Sequence, residues 1–406
     1  MDMSAADSAE PRVLPRTLAG ATVLQVVPAL RDTPQGRTTI GTARALVQVG
    51  ARAIVLGEHG ALVDELKSFG GEWLPFAGAT VSPPKLRANA DALDRFIAAE
   101  GVHIVHAKSA SAAWSARIAA ARNGIRLVTE LPDLPRRRMW FATFYLGALS
   151  RGDRVISHSM FNARPMIARH QIPAERVTVV PRSLDLNLFD PSSVPPERIA
   201  QLRQAWGIPH GVRIVLVPGR LAPWNGHLVL VQAVRILHEQ GLRGVTFVLV
   251  GDDRLHRRFV AKIRKQAQTT GVEALFRVAG YHNDMPAVYA AADIVAVPYI
   301  AAPVYGRVVA EAQAMGRPVV ATSVGSLPEN MITPPRMAEE LRTGWEVPPR
   351  SAGELAKAIG EALAFDADAY RALSARARQF AAYMFSPQRA AAAILEVYAS
   401  LLDGED

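Results

Sequence analysis

The sequence predicts an α/β protein of two Rossmann-like domains, each built on a parallel sheet. Short apolar runs alternate with helical stretches along the chain, which is the pattern of repeated βαβ units. The alternation halts in a proline-rich stretch, 181–209, and then restarts. At 406 residues the chain is too long for one ordinary domain and long enough for two that each bury a core.

Residues 1–18 read as a flexible N-terminal tail, polar and without an apolar h-region, so no signal peptide is expected. The first Rossmann-like domain spans 19–185. Val23 to Val27 is an apolar run suited to a central parallel strand, and a helix follows from about Thr38 to Gly50. Ala53 to Leu56 is the next strand, Leu62 to Phe69 the next helix, and a short strand lies near Trp73. Asp91 to Glu100 is helical, Ile104-Val105 extended, Ala112 to Asn123 helical and Leu127 to Thr129 extended; Val155-Ile156 and Val177 to Val180 complete the series. Residues 186–209 read as a linker holding one helix, Glu197 to Trp206. The second domain, 210–385, has strands at Ile214 to Val217, Thr246 to Val250, Phe276 to Val278, Ile294 to Val297 and Pro318 to Thr322. Its helices are Leu228 to Gln240, Phe259 to Thr270, Met285 to Ala291 and Val308 to Met315. Ala-rich helices over Ser351 to Phe365, Ala369 to Phe380 and Pro387 to Leu402 close the chain. In doubly wound sheets ligands sit at the carboxyl ends of the strands, so the space between two such domains is the default site.

Half of the residues are hydrophobic and 20% are charged, the balance of a globular chain. There is no Cys, which excludes disulfides, thiolate nucleophiles and Cys-ligated metals and suits a reducing cytoplasm. The most apolar run, Met139 to Leu149, is well short of a bilayer span, so a cytoplasmic protein, soluble or peripheral to the membrane, is expected. The net charge of +9 implies an anionic partner. No nucleic-acid-binding motif occurs and the basic residues are spread widely, which sets nucleic acid aside. Arg136, Arg137 and Arg138 stand beside Trp140 and Phe141, a mix that suits the interface of an anionic membrane; it suits equally a helix that packs its aromatics inward beneath a solvated charge run.

The chemistry concentrates in Tyr299 to Ser326. Gly306-Arg307 opens a helix whose Val308, Ala312 and Met315 share one face, and Glu311 falls on a different face. Gly306 lets backbone approach a ligand where helix amides favour an anion, and a carboxylate one turn on can accept from hydroxyls. Sugar plus phosphate suggests a nucleotide, whereas an isolated Glu in this place would read as a solvated helix former. The segment 306–322, GRVVAEAQAMGRPVVAT, resembles the donor site of the retaining glycosyltransferases of family 4, which have the GT-B fold.

That resemblance implies parallel sheets facing a central cleft, with the last segment, 386–406, a helix crossing back to the first domain. It implies a nucleotide sugar as donor, bound by the second domain, and a glycan or lipid-linked acceptor, bound by the first, with neither cofactor nor metal. Gly219-Arg220-Leu221 through Asn225-Gly226 is similar to the family's Gly-Arg-Leu and Lys-Gly segment, so Arg220 would neutralise the leaving diphosphate with Asn225 in the place of a second cation. Gly251, Tyr305, Gly306 and Arg307 would border the donor, Glu311 would hold its ribose, and the segment at Tyr281 would seat its base. His106 and Lys108 match a His-x-Arg/Lys-Ser segment on the acceptor side, although a lone His beside a strand is more often structural. Four places depart from the family pattern: Pro303 for the first Glu of the donor motif, Asn225 for Lys, Thr33-Pro34 for paired glycines, and Leu131 or Pro132 for a His. Tyr305 also stands for the usual Phe. Two readings therefore stand side by side. The chain is a retaining transferase of cell-envelope polysaccharide or lipopolysaccharide synthesis, or a relative that has kept the fold, lost the chemistry and acts as a binding or partner subunit. An epimerase of related fold is a third class, which the transferase-like segments disfavour.

Overall fold

The predicted strands all form in the computed structural model, which describes residues 18–131, 146–252, 254–303 and 305–403. The expected tail and the Arg136–Trp140 patch fall outside those residues, except for Leu18, which is fully buried and so belongs to the core. Two compact units divide the chain: everything up to Ser183 together with the segment from Pro387 on, and Leu184 to Ser386.

The first unit runs β1 (Thr22–Ala29), α1 (Pro34–Gln48), β2 (Arg52–Glu58), α2 (Val63–Ser68), β3 (Glu72–Pro75), α3 (Pro83–Glu100), β4 (Ile104–Ala107) and α4 (Ala110–Asn123). It continues with β5 (Arg126–Glu130), β6 (Arg154–Ser157), α5 (Met160–His170) and β7 (Val177–Val179). Its seven strands lie in the order β3-β2-β1-β4-β5-β6-β7, all parallel. Thr33-Pro34 starts α1 in a conventional way. The Thr33 hydroxyl accepts from the Gly36 amide at 3.2 Å, and Pro34 takes the first helical position, where no amide hydrogen is needed. The close approach falls instead to Gly36, where a Cβ would lie 2.0 Å from the Arg31 carbonyl oxygen. Helix α3 starts eight residues earlier than its apolar pattern suggests, because Pro83 and Pro84 occupy its first turn. Helix α5 was not foreseen: Pro165 lies inside it, yet Ser159 caps its start by accepting from the Asn162 amide.

The second unit contains α6 (Pro196–Ala205), β8 (Arg213–Pro218), α7 (His227–Glu239), β9 (Val245–Val250), α8 (Arg257–Thr269), β10 (Phe276–Gly280), α9 (Met285–Ala290) and β11 (Ile294–Val297). It ends with α10 (Arg307–Ala314), β12 (Val319–Thr322), β13 (Gly344–Val347), α11 (Ala352–Ala364) and α12 (Ala367–Met384). The parallel order is β10-β9-β8-β11-β12-β13. Residues 186–209, read from sequence as a linker, are built into this unit. Phe189, Val194, Trp206 and Ile208 are buried in its core with Leu216 and Val288, so the apolar side chains outweigh the prolines that punctuate the stretch.

The final helix, α13 (Pro387–Leu402), is part of the first unit, where it packs against α1. Ile394, Leu395 and Tyr398 are fully buried there with Val23, Ile104, Val128 and Ile156 of the sheet. Burial of each such aliphatic side chain contributes about 2 kcal/mol. Among the described residues no helix is long and apolar enough to cross a membrane.

Candidate functional site

In the second unit the strand order reverses between β8 and β11, the place where doubly wound sheets take ligands. Just past β8, Gly219 has a φ of 125°, which side chains adopt only under strain. A Cβ on it would lie 2.5 Å from the Tyr299 hydroxyl, which itself donates to the Pro218 carbonyl at 3.3 Å. At Gly251, just past β9, a Cβ would lie 2.0 Å from the Gly219 carbonyl oxygen. These glycines therefore let strand ends close on one another, whatever ligand they also border. Arg220 is exposed, and among the described residues its guanidinium has no carboxylate partner. Asn225 is in the opposite state: it is buried, and its Nδ2 donates to the Arg220 carbonyl at 2.8 Å. Its amide is spent on shaping the turn that carries Arg220.

Gly306 stands at the start of α10 with no side-chain cap hydrogen bond, so this helix start keeps its positive end without a capping side-chain acceptor. A Cβ at Gly306 would lie 2.0 Å from Asn330 Nδ2, so only glycine lets Asn330 fold over this end. Tyr305 is half-buried, Arg307 exposed, and Tyr281, after β10, is 64% exposed. Glu311 differs from the sequence expectation of a separate face. Val309 through Ala314 are all buried, because α10 lies between the sheet and α12 with the turn at 327–330 against it. The Glu311 carboxylate accepts from the Tyr289 hydroxyl at 2.9 Å and from Arg307 Nε at 2.5 Å. Burial pushes its pKa up, and Arg307 opposes the shift. The Tyr299 hydroxyl is pushed up too, by burial and by Glu311, while Arg220 pulls it down; these three groups thus share one electrostatic neighbourhood.

In the first unit, period-two alternation puts Gln25, His106, Glu130 and the residues that follow β4 and β6 on the sheet face covered by α13. His106 and Lys108, matched in sequence to the family's acceptor side, are fully buried, which for His106 agrees with the structural role that a lone His beside a strand more often has. Lys108 Nζ lies 3.2 Å from Glu130 Oε2, and His106 Nε2 lies 3.6 Å from the same oxygen. The His158 Nε2 sits 2.9 Å from Glu130 Oε1, with its Nδ1 2.9 Å from the Val180 carbonyl. The His106 Nδ1 meets the Tyr398 hydroxyl of α13 at 2.7 Å. Burial alone would raise the pKa of Glu130, but Lys108 and His158 hold it well below the usual carboxylate range. Burial, with Lys108 nearby, keeps the His106 pKa well below its ordinary value. The cluster is therefore a buried ion pair between a carboxylate and Lys108, flanked by imidazoles.

Glu130, Tyr398 and Tyr289 escaped the sequence reading. A signal existed for Glu130, a carboxylate ending the apolar run Leu127-Val128-Thr129 where a strand would be sealed. Tyr398 carries none, since it sits 292 residues from its partner His106. Among the described residues no three His, Cys, Asp or Glu side chains are grouped so as to hold a metal ion.

Comparison with known proteins fits this architecture. The family model "Glycosyltransferase Family 4" matches residues 35–188, and "Glycosyl transferases group 1" matches 212–364, one match in each unit. A D-inositol 3-phosphate glycosyltransferase of Corynebacterium glutamicum is 29% identical over 214 residues, 52% of this chain and 50% of that protein. The chain thus spans about half the length of such curated relatives. A glycosyltransferase structure from Rickettsia africae superposes with a TM-score of 0.78 at 26% identity, covering 95% of this chain and all (100%) of that one. HepE of Anabaena, solved with UDP, gives 0.72 at 23% identity over 94% of this chain and 100% of its own, a likeness of fold. With both matches in place and the paired parallel α/β units that carry them, the chain belongs to the family 4, group 1 glycosyltransferases of GT-B fold.

Proposed function

We propose that this protein transfers a sugar, with retention, from a nucleoside diphosphate sugar to an acceptor hydroxyl in the assembly of a cell-envelope glycan, at the cytoplasmic side of the membrane. The observation that carries the reading is the grouping at the β8/β11 reversal: a guanidinium at Arg220 without a salt bridge among the described residues, and a helix start at Gly306 without a side-chain cap. Both are sources of positive potential, and a departing diphosphate is the charge they suit. UDP bound to HepE, a protein of like fold, supports a nucleotide as the donor's leaving group. The exposed ring of Tyr281 offers a face for the base, and Glu311 is the carboxylate for the ribose once Arg307 swings into solvent. No resident cofactor or metal enters this reading.

Asn225 favours a second reading. Where a second cation would assist departure, a buried amide bonds the backbone at 2.8 Å. Such a site would hold the nucleotide and leave its sugar in place, as a binding or partner subunit would. Titration calorimetry with a panel of nucleotide sugars, followed by product analysis with lipid extracts and oligosaccharides as acceptors, tests both. Under the transferase reading the wild type turns over and Arg220→Ala loses on the order of a hundredfold in kcat or more. Undiminished turnover in that variant would remove Arg220 from the reaction. Binding without turnover selects the second reading.

A further inference from the structure

Helix α8 carries Arg257, Arg258, Lys262, Arg264 and Lys265 and no acidic residue. All five side chains are exposed, and among the described residues none is paired with a carboxylate. Helix α3 of the first unit shows the ordinary arrangement: its exposed Lys85, Arg87 and Arg95 are interleaved with Asp91, Asp94 and Glu100. The apolar stripe of α8 is already used, since Val260, Ile263 and Ala267 are buried in the core that α7 shares. At 100° per residue Arg258, Lys262 and Lys265 lie opposite that stripe and Arg257 and Arg264 on its flank, and only Ala261, Gln268 and Thr269 lie between them. From Arg257 to Lys265 the set is about 12 Å long.

We propose that this outward face of α8 docks the second unit on an anionic phospholipid surface. The argument is charge complementarity together with what the face lacks. The aromatic residue of α8, Phe259, packs against the core and the His227 ring away from the cations, so a nucleic-acid strand finds only charge there. The face has no exposed large apolar residue to anchor a protein partner at a central pocket. What remains is a set of long, flexible cations above small neutral residues, which reach headgroup phosphates while the helix lies on the surface without entering it. The inference is independent of the transfer reaction, because it concerns a helix whose cations take no part in the site at the β8/β11 reversal.

The test is co-sedimentation of the full chain with phosphatidylcholine vesicles, with and without phosphatidylglycerol, at low and high salt. The wild type is expected to bind only the anionic vesicles and to release in salt. The variant Arg258→Glu/Lys262→Glu/Lys265→Glu, checked for an unchanged circular dichroism spectrum and melting temperature, is expected to bind roughly a hundredfold more weakly, at about fivefold per cation. A matched variant of α3, Lys85→Glu/Arg87→Glu/Arg95→Glu, is expected to bind like the wild type. Equal binding by the α8 variant, or equal losses in both, would overturn the proposal. So would a wild type that ignores anionic vesicles, whether or not it binds an oligonucleotide.

Discussion

Glu130 in the first unit and Glu311 in the second are both buried carboxylates, 2% and 5% exposed, yet their proton affinities move in opposite directions. Burial pushes each upward. Glu130 ends up well below the carboxylate range because Lys108 is fully buried with it and two imidazoles border it. Glu311 stays raised because its cation, Arg307, has 60% of its side chain in water, where solvent screens the charge. For a carboxylate that burial pushes upward, the ion pair thus reverses the shift where its cation is buried with it and fails to where the cation stays in solvent. The first unit uses such a pair to tie strand ends beneath α13; the second keeps a carboxylate whose partner is free to leave.

Removing a buried partner should break this contrast most sharply. Lys108→Met strands the Glu130 charge and is expected to cost about 3–5 kcal/mol in urea unfolding, whereas Lys108→Met/Glu130→Leu recovers most of it. A loss below about 1 kcal/mol in the single variant would mean that the pair is not ionised.

A pH series sharpens the comparison with a smaller effect. Glu130 has a depressed pKa, so the stability it brings is present above its ordinary 4.5 and is lost as the pH falls below that value toward its folded pKa. Glu311 has a raised pKa, so its contribution is present below 4.5 and is lost as the pH rises through its folded value. Thermal melts between about pH 3 and pH 8 should therefore show Glu311→Gln removing a loss that sets in above pH 4.5, at a cost of about 1 kcal/mol or less. Glu130→Gln should instead flatten the acid limb. Matching profiles for the two variants would erase the distinction.

Arg307→Ala should have the smallest effect, a few tenths of a kcal/mol, since the cation of this i,i+4 pair lies largely in solvent and contributes little. A loss above about 1 kcal/mol in the same urea assay would show that Arg307 is not screened as its exposure implies.

Much of the architecture was legible in the residue order because the cues are local. Apolar runs such as Val245 to Val250 mark strands covered on both faces, whereas the caps Thr33 and Ser109 open α1 and α4 ahead of the starts at Thr38 and Ala112 that the apolar pattern suggests. Helix α5 escaped because an internal proline hides its cue, and β13 because four residues carry too little pattern. Of the site, Arg220, Gly219 and Gly306 were named from sequence together with their neighbours. The inward bond of Asn225 was not, since Lys and Asn are told apart on paper by charge alone.

By itself the sequence determined the two parallel α/β units and the segments that belong at strand ends, because hydrophobic period and capping residues act over a few neighbouring positions. Only the tertiary structure decided that residues 186–209 belong to the second unit and send Phe189, Val194, Trp206 and Ile208 into its core, that His106 and Lys108 face inward, and that Tyr398 meets His106 across 292 residues. Burial depends on every element packed around a side chain, and those elements are set by the whole sheet order.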